Sequence, residues 1–345
     1  MNFPKVTIQM VTCNSRRLLP FSLPSILDQT YRDFQVLIID NDSQDGTAAY
    51  IRGNFPQLAV FQNNQNCGFA KANNQGIKLF KSPYIVFCNP DIILEPDWLE
   101  ILMAAVEDEA YANYGSFGGK LLKLKIIDSD SGDLEKSVII DSCGLKLLGN
   151  HRVVELGAGE QSESFRVVKE VFGQGGALSL YKREVLEKIS LRDKYHPQGD
   201  YFDSSLFFYK EDVDLAWRLR LAGYQSLLLP AAVAYHLRTF AGSQLEPAGK
   251  IIKNRRQQTA LAKYYSYRNH LLVMLTDEFF VNWLYYFPRI FWYELKKLFY
   301  VMIFETRNLS ALGEILLLLP QIISKRKEIF ARCRITAKDI RKWIE

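Results

Sequence analysis

Tyr84-Ile85-Val86-Phe87-Cys88-Asn89-Pro90-Asp91 is the stretch on which the rest of the chain is organised. Its first five residues form an apolar, β-branched run bounded by Pro83 and Pro90, the pattern of a buried strand. In an open α/β sheet, ligands bind beyond the carboxyl ends of the strands, and this strand delivers Asn89 and Asp91 to that place. A carboxylate on such a turn can hold a divalent cation against a diphosphate. Pro96-Asp97 then starts a helix. Taken alone, Asn-Pro-Asp is also common turn chemistry, so its meaning depends on its neighbours.

Upstream, Val6 to Thr12 and Phe34 to Asp40 read as strands, and Leu58 to Gln62 as a third. Each is followed by a polar loop and a helix. The loops are Cys13-Asn14-Ser15, Asp40-Asn41-Asp42-Ser43-Gln44-Asp45-Gly46 and Asn63 to Gly76, the last entering a helix that ends near Lys81. Strand alternating with helix over about 90 residues predicts a parallel, Rossmann-like sheet. The G-x-G-x-x-G dinucleotide fingerprint is absent after the first strand. Asp/Asn loops stand there instead, and their side chains can bond the hydroxyls and ring nitrogens of a nucleoside. One such loop is an ordinary turn former. Three at the same sheet edge, with Asp91 as a fourth element, point to a site.

Downstream, Asp128 to Asp133 reads as a solvated loop. Asp141-Ser142-Cys143-Gly144 and Glu155 to Glu160 fit short hairpins with polar tips. Gly173-Gln174-Gly175-Gly176-Ala177 is a glycine-rich turn before a strand; its glycines either let backbone approach a sugar or phosphate or serve a tight bend. In Phe208-Tyr209-Lys210-Glu211-Asp212-Val213-Asp214, a helix begins. Val213, Trp217 and Leu221 share one of its faces, and Gly223 ends it. Glu211 and Asp212 stand at its N-terminus, where the macrodipole favours ionised carboxylates; there they act either as ordinary caps or as a base for a hydroxyl proton. Gln225 to Leu229 and Val233 to Tyr235 read as two strands, with His236 at a strand end.

The composition is that of a globular protein, 48% hydrophobic and 23% charged over 345 residues. Five widely spaced cysteines without zinc-ligand spacing predict reduced thiols in a cytosolic compartment. The N-terminus lacks the pattern of a signal peptide, and no run of about 18 apolar residues predicts a spanning helix. Residues 250–345 hold 18 Lys/Arg against 8 Asp/Glu, a balance of +10, which leaves −5 for residues 1–249. In this basic third, aromatics interleave with Lys and Arg from Phe279 to Phe304, interrupted by Pro288, and Leu309 to Ile323 is apolar. The expected partner is a membrane surface, with packing on the body or on a second copy in a homodimer as the alternative. The acidic body and the lack of a recognisable motif argue against nucleic acid.

With these motifs in this order, residues 5–240 resemble the inverting GT-A glycosyltransferases of family 2, and within them the bacterial rhamnosyltransferase-like branch. The resemblance implies an α/β GT-A fold: a Rossmann-like, mostly parallel central sheet flanked by helices, over residues 1–245. Residues 246–345 would be a C-terminal helical extension. It implies that Thr12, Asn14, Asp40, Asp42, Gly68, Asn73, Asn89 and Gly176 surround a nucleotide sugar. Asp91 matches the last carboxylate of the family's D-x-D motif, whose first position is Asn89 here. Asp91 and His236 would hold Mg²⁺ or Mn²⁺, and Asp212, with Glu211 beside it, would be the catalytic base. The implied activity is transfer of a sugar, L-rhamnose from dTDP-rhamnose by this likeness, to a lipid-linked or polysaccharide acceptor on the cytoplasmic face of the cell membrane. Asn89 also supports an alternative, a GT-A domain that binds nucleotide or glycan without catalysis. A nucleotidyltransferase would need a Gly- and Arg/Lys-rich loop after the first strand, which Asn14-Ser15-Arg16-Arg17 does not supply.

Overall fold

A computed structural model describes residues 3–128, 133–237, 255 and 258–345. Strand and helix alternate as expected through β1 (Val6–Thr12), α1 (Leu19–Leu27), β2 (Phe34–Asn41), α2 (Thr47–Asn54), β3 (Ala59–Asn63), α3 (Phe69–Leu79) and β4 (Tyr84–Cys88). β1 is buried on both faces, which is why it reads as an unbroken apolar run. It pairs in parallel with β2 on one side and β4 on the other, with Thr12 opposite Asp40. Side chains alternate along β4 between two cores. Val86 packs with Leu99 and Trp98 on one face, and Phe87 packs with Tyr181 and Leu215 on the other. Each such buried side chain contributes roughly 1.5–3 kcal/mol.

β5 (Ile92–Leu94) leads into α4 (Trp98–Glu107), so the helix starts two residues past Pro96. β6 (Tyr114–Asp128), β7 (Asp133–Ser142), β8 (Leu145–Leu147), β9 (Val153–Glu155), β10 (Lys169–Val171) and β11 (Leu178–Lys182) follow. α5 (Arg183–Ile189), α6 (Glu211–Leu221) and β12 (Gln225–His236) complete the sheet region. The strand order is β10-β12-β6-β11-β4-β1-β2-β3, with β5 on β12 and β7 on β6. The sheet is parallel from β4 through β3. β11 then enters antiparallel to both β4 and β6, and β12 runs parallel to β6.

Two local expectations are corrected here. The segments around Leu228 and Val233 form one strand, not two. Its register against β6 shifts between them, at Pro230, which has no N–H to give to the ladder. Gly119 of β6 faces this irregularity so closely that a Cβ there would lie 1.9 Å from the Ala232 carbonyl oxygen. Asp141-Ser142-Cys143 is not an exposed hairpin tip. All three are buried at the end of β7, and the β8–β9 hairpin turns instead around Gly149 to Arg152. Of the loop expected over 128–133, residues 129–132 lie outside the described residues, as does the expected boundary at 245/246.

The last part of the chain forms α7 (Ala260–Asp277), α8 (Phe280–Tyr285), α9 (Phe287–Phe304), α10 (Ser310–Ala331) and α11 (Ala337–Arg341). Pro288 stands in the first turn of α9, so it opens a helix after the break at Tyr286. Leu272 and Val273 of α7 and Ile315, Ile322 and Ile329 of α10 share a core with Val213, Trp217 and Leu221 of α6. The opposite side of these helices is apolar and open. Phe280, Tyr285, Trp292, Phe299, Ile303, Leu317 and Ile323 are all exposed, Leu317 at 82%. Among the described residues, no helix is long and apolar enough to cross a membrane.

Candidate active site

The carboxyl ends of β1 and β2 meet through side chains. Thr12 Oγ1 donates to Asp40 Oδ1 at 2.9 Å, and Asp40 Oδ2 accepts from the Ser43 N–H at 3.3 Å. Asn14 (φ 53°) takes the left-handed backbone, which Asn tolerates. Its N–H donates to Ser43 Oγ and its Oδ1 accepts from the Gln44 N–H, both at 2.8 Å. Asp42 (φ 65°) bends the same way, and its Oδ1 accepts from Gln44 Nε2. The two loops are thus stitched into one rim, with Asn14 exposed and Asp42 half-buried. Thr12 and Asp40 lie beneath the rim, fully buried, and shape it from below.

A third loop closes the rim. Asn41 Nδ2 donates to Asn66 Oδ1, Asn41 Oδ1 accepts from the Cys67 N–H, and Asn66 Oδ1 also accepts from the Gly68 N–H. Gly68 has φ +85°, and an added Cβ would come within 2.6 Å of the Phe207 ring, so only glycine fits. Asn73 is placed differently from a ligand contact. It is buried, its Oδ1 accepts from Gln9 Nε2 at 2.6 Å and its Nδ2 donates to the Phe69 carbonyl, so its amide fastens α3 to β1.

The metal candidates come together. β12 lies beside β5, with His236 opposite Ile92, and the Leu237 N–H donates to the Asp91 carbonyl. His236 stands between two carboxylates: its Nε2 is 3.2 Å from Asp91 Oδ2 and its Nδ1 is 2.8 Å from Asp141 Oδ2. Burial disfavours its cation, but hydrogen bonds and charge from Asp141 and Asp91 outweigh that and push its pKa up to about 9. Asp91 Oδ1 is buried and accepts no hydrogen bond, an unmet acceptor of the kind that a divalent cation satisfies. The donor set fits a cation that displaces the proton which the two carboxylates otherwise hold on the imidazole. Asp91 and His236 would supply two ligands, and Asp141 would orient the imidazole from behind, as ligating histidines usually require. No group of three His, Cys, Asp or Glu side chains forms a closed metal cluster among the described residues. The remaining positions would go to a diphosphate and water, as Mg²⁺ and Mn²⁺ sites commonly allow. Asp141 carries no family motif in the sequence. Its one signal is position, because Val138-Ile139-Ile140 leads straight into it as β2 leads into Asp40.

The base candidate sits across the cleft. β11 is antiparallel to β4, so the turn before it returns to the Asn89 end, where the Asn89 N–H donates to the Ala177 carbonyl at 2.9 Å. The adjacent Gly176 N–H donates to Asp212 Oδ2 at 3.0 Å. Asp212 Oδ1 accepts from the Val213 N–H in the first turn of α6. Glu211 is arranged otherwise. It is buried with Oε2 unpartnered, and burial together with the Asp212 charge pushes its pKa up to about 8. Burial and the neighbouring charge thus favour the neutral form of Glu211, and Asp212 is the half-buried, solvent-reaching member of the pair. Below them, Arg218 donates to Asp214 through Nε and Nη2 and to the Ile189 and Tyr201 carbonyls, which fixes α6 in the body. A small cleft lined by Asp141, Ser142, Glu155, Gly175 and His236 opens on the His236 side, next to the Gly176 that bonds Asp212.

The approach to α6 is strained. Phe207 has φ 62° and ψ −67°, and the Phe208 N–H donates to the Leu206 carbonyl at 2.7 Å, a γ-turn of the rare hand. Tyr209 (φ 69°) and Lys210 (φ 73°) are also left-handed. Each such residue costs on the order of 1–3 kcal/mol and persists only where its surroundings over-determine it.

The rim of Asx loops, the carboxylate after β4 and the carboxylate at the start of α6 stand at one edge of a doubly wound sheet, and the architecture is that of the GT-A fold. The model of glycosyl transferase family 2 matches residues 7–190, and the chain belongs to that family. It is 23% identical over 229 residues to the glycosyltransferase GlyA of Streptococcus pneumoniae, covering 63% of this chain and 31% of that protein. It is 30% identical over 146 residues to the poly(ribitol-phosphate) β-N-acetylglucosaminyltransferase TarP of Staphylococcus aureus, covering 40% of this chain and 45% of that protein. The chain spans between 24% and 34% of the length of the first curated relatives it matches. Among solved structures, the fold is shared with GalNAc-T7 bound to UDP, GalNAc and Mn²⁺ (TM-score 0.55, 14% identity, 80% of this chain and 48% of that one). It is also shared with the Pyrobaculum calidifontis mannosyltransferase PcManGT bound to GDP-Man and Mn²⁺ (TM-score 0.50, 16% identity, 96% and 86%).

Proposed function

We propose that this chain is an inverting glycosyltransferase of bacterial cell-surface glycan synthesis. It moves a sugar from a nucleotide sugar to a lipid-linked or polysaccharide acceptor. The observation that carries this is the hydrogen bond from Gly176 to Asp212, two residues from the strand that pairs with Cys88. It supports reading Asp212 as the base, because that carboxylate stands at the same sheet edge as Asp91. Asp212 takes the proton from the acceptor hydroxyl as that oxygen attacks the anomeric carbon from the face opposite the leaving diphosphate, which inverts the configuration. Asp91 and His236 would hold Mg²⁺ or Mn²⁺, and the bound cation would supply Lewis-acid stabilisation of the leaving diphosphate. Asn14, Asp42 and Asn89 bond the nucleoside and ribose, Gly68 and Gly176 let backbone approach, and Thr12, Asp40 and Asn73 support that rim from beneath.

The donor assignment is tested with purified protein and a panel of dTDP-L-rhamnose, UDP-N-acetylglucosamine and GDP-mannose, with Mn²⁺, Mg²⁺ or EDTA. dTDP-L-rhamnose heads the panel on the resemblance of Asn89-Pro90-Asp91 to the rhamnosyltransferase-like branch. UDP-N-acetylglucosamine follows from the name of the relative TarP. Release of nucleoside diphosphate from one donor, lost in EDTA, is the expected outcome. Donor binding without release in the presence of acceptor glycolipids would favour the non-catalytic alternative.

The exposed apolar side of α8, α9 and α10, with the basic balance of this third, supports docking on the anionic cytoplasmic surface of the cell membrane. Each Lys or Arg near such a surface contributes about 1 kcal/mol, an attraction that falls off within a Debye length. The protein is expected to sediment with vesicles rich in phosphatidylglycerol but not with neutral ones, and to be released by salt. Trp292→Ser with Phe299→Ser should weaken this binding. A dimer in solution that ignores both vesicle types would assign the face to a second copy.

A further inference from the structure

The segment 206–210 contains no glycine, yet Phe207, Tyr209 and Lys210 all hold positive φ. Something outside the segment must impose that backbone, and it comes from α7. Asn269 is completely buried, and the two N–H bonds of its Nδ2 are shared among the carbonyls of Leu206 at 2.7 Å, Phe208 at 3.0 Å and Tyr209 at 2.7 Å. Its Oδ1 accepts from Arg268 Nη1 at 3.1 Å, and Arg268 Nη2 donates to the Ser205 carbonyl. One turn earlier on α7, the Tyr265 ring stacks on Phe207 with centroids 5.2 Å apart and planes 17° from parallel. Lys325 of α10 pairs with Asp203 and donates to Ser205 Oγ.

The clamped segment touches both halves of the site. Its last residue, Lys210, caps α6, and its carbonyl accepts from the Asp214 N–H, which sets the turn that carries Asp212. The Phe207 carbonyl accepts from the Ala70 N–H, and the Phe207 ring fills the space beside Gly68. Relaxing the segment to right-handed backbone would rotate the start of α6 and carry Asp212 away from Gly176.

We propose that Asn269 is a positioning residue for the base: by gripping the carbonyls of Leu206, Phe208 and Tyr209, it holds Phe207, Tyr209 and Lys210 at positive φ and so sets Asp212 against Gly176. The C-terminal helices thereby complete the active site instead of only anchoring it. This rests on Asp212 being the base.

The test uses Asn269→Ala and Asn269→Asp, the second keeping the volume but losing the donations, so that one remains if the other unfolds. Leu272→Ala, a core truncation on the same helix, is the control for stability alone. The readouts are release of nucleoside diphosphate from whichever donor of the panel wild type hydrolyses, nucleoside diphosphate affinity, and trypsin cleavage after Lys210. Misplacement of a catalytic group by ~1 Å costs up to ~10²-fold, so Asn269 variants should lose between about 10- and 100-fold in turnover. Cleavage after Lys210 should be faster, and Leu272→Ala should show neither effect at a matched loss of Tm. Adding Lys210→Gly to either variant should restore part of the lost turnover, because glycine holds a positive φ without a clamp. Wild-type turnover in both Asn269 variants, or no restoration by Lys210→Gly, would overturn the proposal. If Asp212→Asn kept full turnover, the base assignment would fall, while faster cleavage after Lys210 would still report the clamp.

Discussion

Asp212→Asn is expected to lower glycosyl transfer by ~10²–10⁴-fold, the usual worth of general base catalysis. The change is isosteric, and an amide cannot accept the acceptor's proton. With the amide carbonyl turned toward Gly176 that N–H keeps an oxygen partner, and the change is confined to the Val213 N–H, which loses the acceptor Oδ1 at the start of α6. Affinity for nucleoside diphosphate should therefore stay within about twofold, the signature of an interaction made only in the transition state. Isothermal titration with the diphosphate, beside single-turnover kinetics, separates the two quantities. An equal loss in both would mean that Asp212 shapes the donor site. Glu211→Gln should be far milder. Burial and the Asp212 charge already favour the neutral form of Glu211, and Gln keeps a neutral group of the same size there.

Asp91→Asn is expected to abolish metal-dependent donor binding. The variant keeps the volume but removes the charge at Oδ1, the buried acceptor that has no other partner. Outer carboxylates that orient a ligating histidine are typically worth ~10–100-fold in metal affinity. Asp141→Asn should fall in that range, and Asp91→Asn should lose at least as much. Mn²⁺ binding followed by electron paramagnetic resonance, with and without nucleoside diphosphate, reads both variants without requiring turnover. Unchanged Mn²⁺ affinity in Asp91→Asn would remove the cation from this site. Loss in Asp91→Asn with none in Asp141→Asn would show that the imidazole needs no support from behind.

Much of this was legible in the sequence because the signals are local. β1, β2 and β4 are buried on both faces or nearly so, and each reads as an apolar run that stops at an Asx turn. The helix Glu211–Leu221 follows from the spacing of Val213, Trp217 and Leu221, and Gly223, at φ +84°, ends it as expected. Asp91 and His236 were both singled out as strand-end residues, and the fold brings them within 3.2 Å.

Other features escaped because the sequence reports which way a residue faces but not what it meets. Asp141 looks like a turn residue until β7 folds back on β6 and brings it 2.8 Å from His236, 95 residues away. Asn73 looks like a ligand contact until Gln9 takes its amide. Leu206-Phe207-Phe208-Tyr209-Lys210 offers no glycine to announce a left-handed backbone, and the residue that imposes it comes about 60 positions later. By itself, then, the sequence determined the doubly wound sheet, the carboxylates at its edge and the amphipathic tail, since burial periodicity and turn chemistry act over a few residues. Only the tertiary structure decided the second carboxylate on His236, the preference of Glu211 for its neutral form and the clamp from α7. Each of these depends on desolvation and on hydrogen bonds between groups that only chain folding brings together.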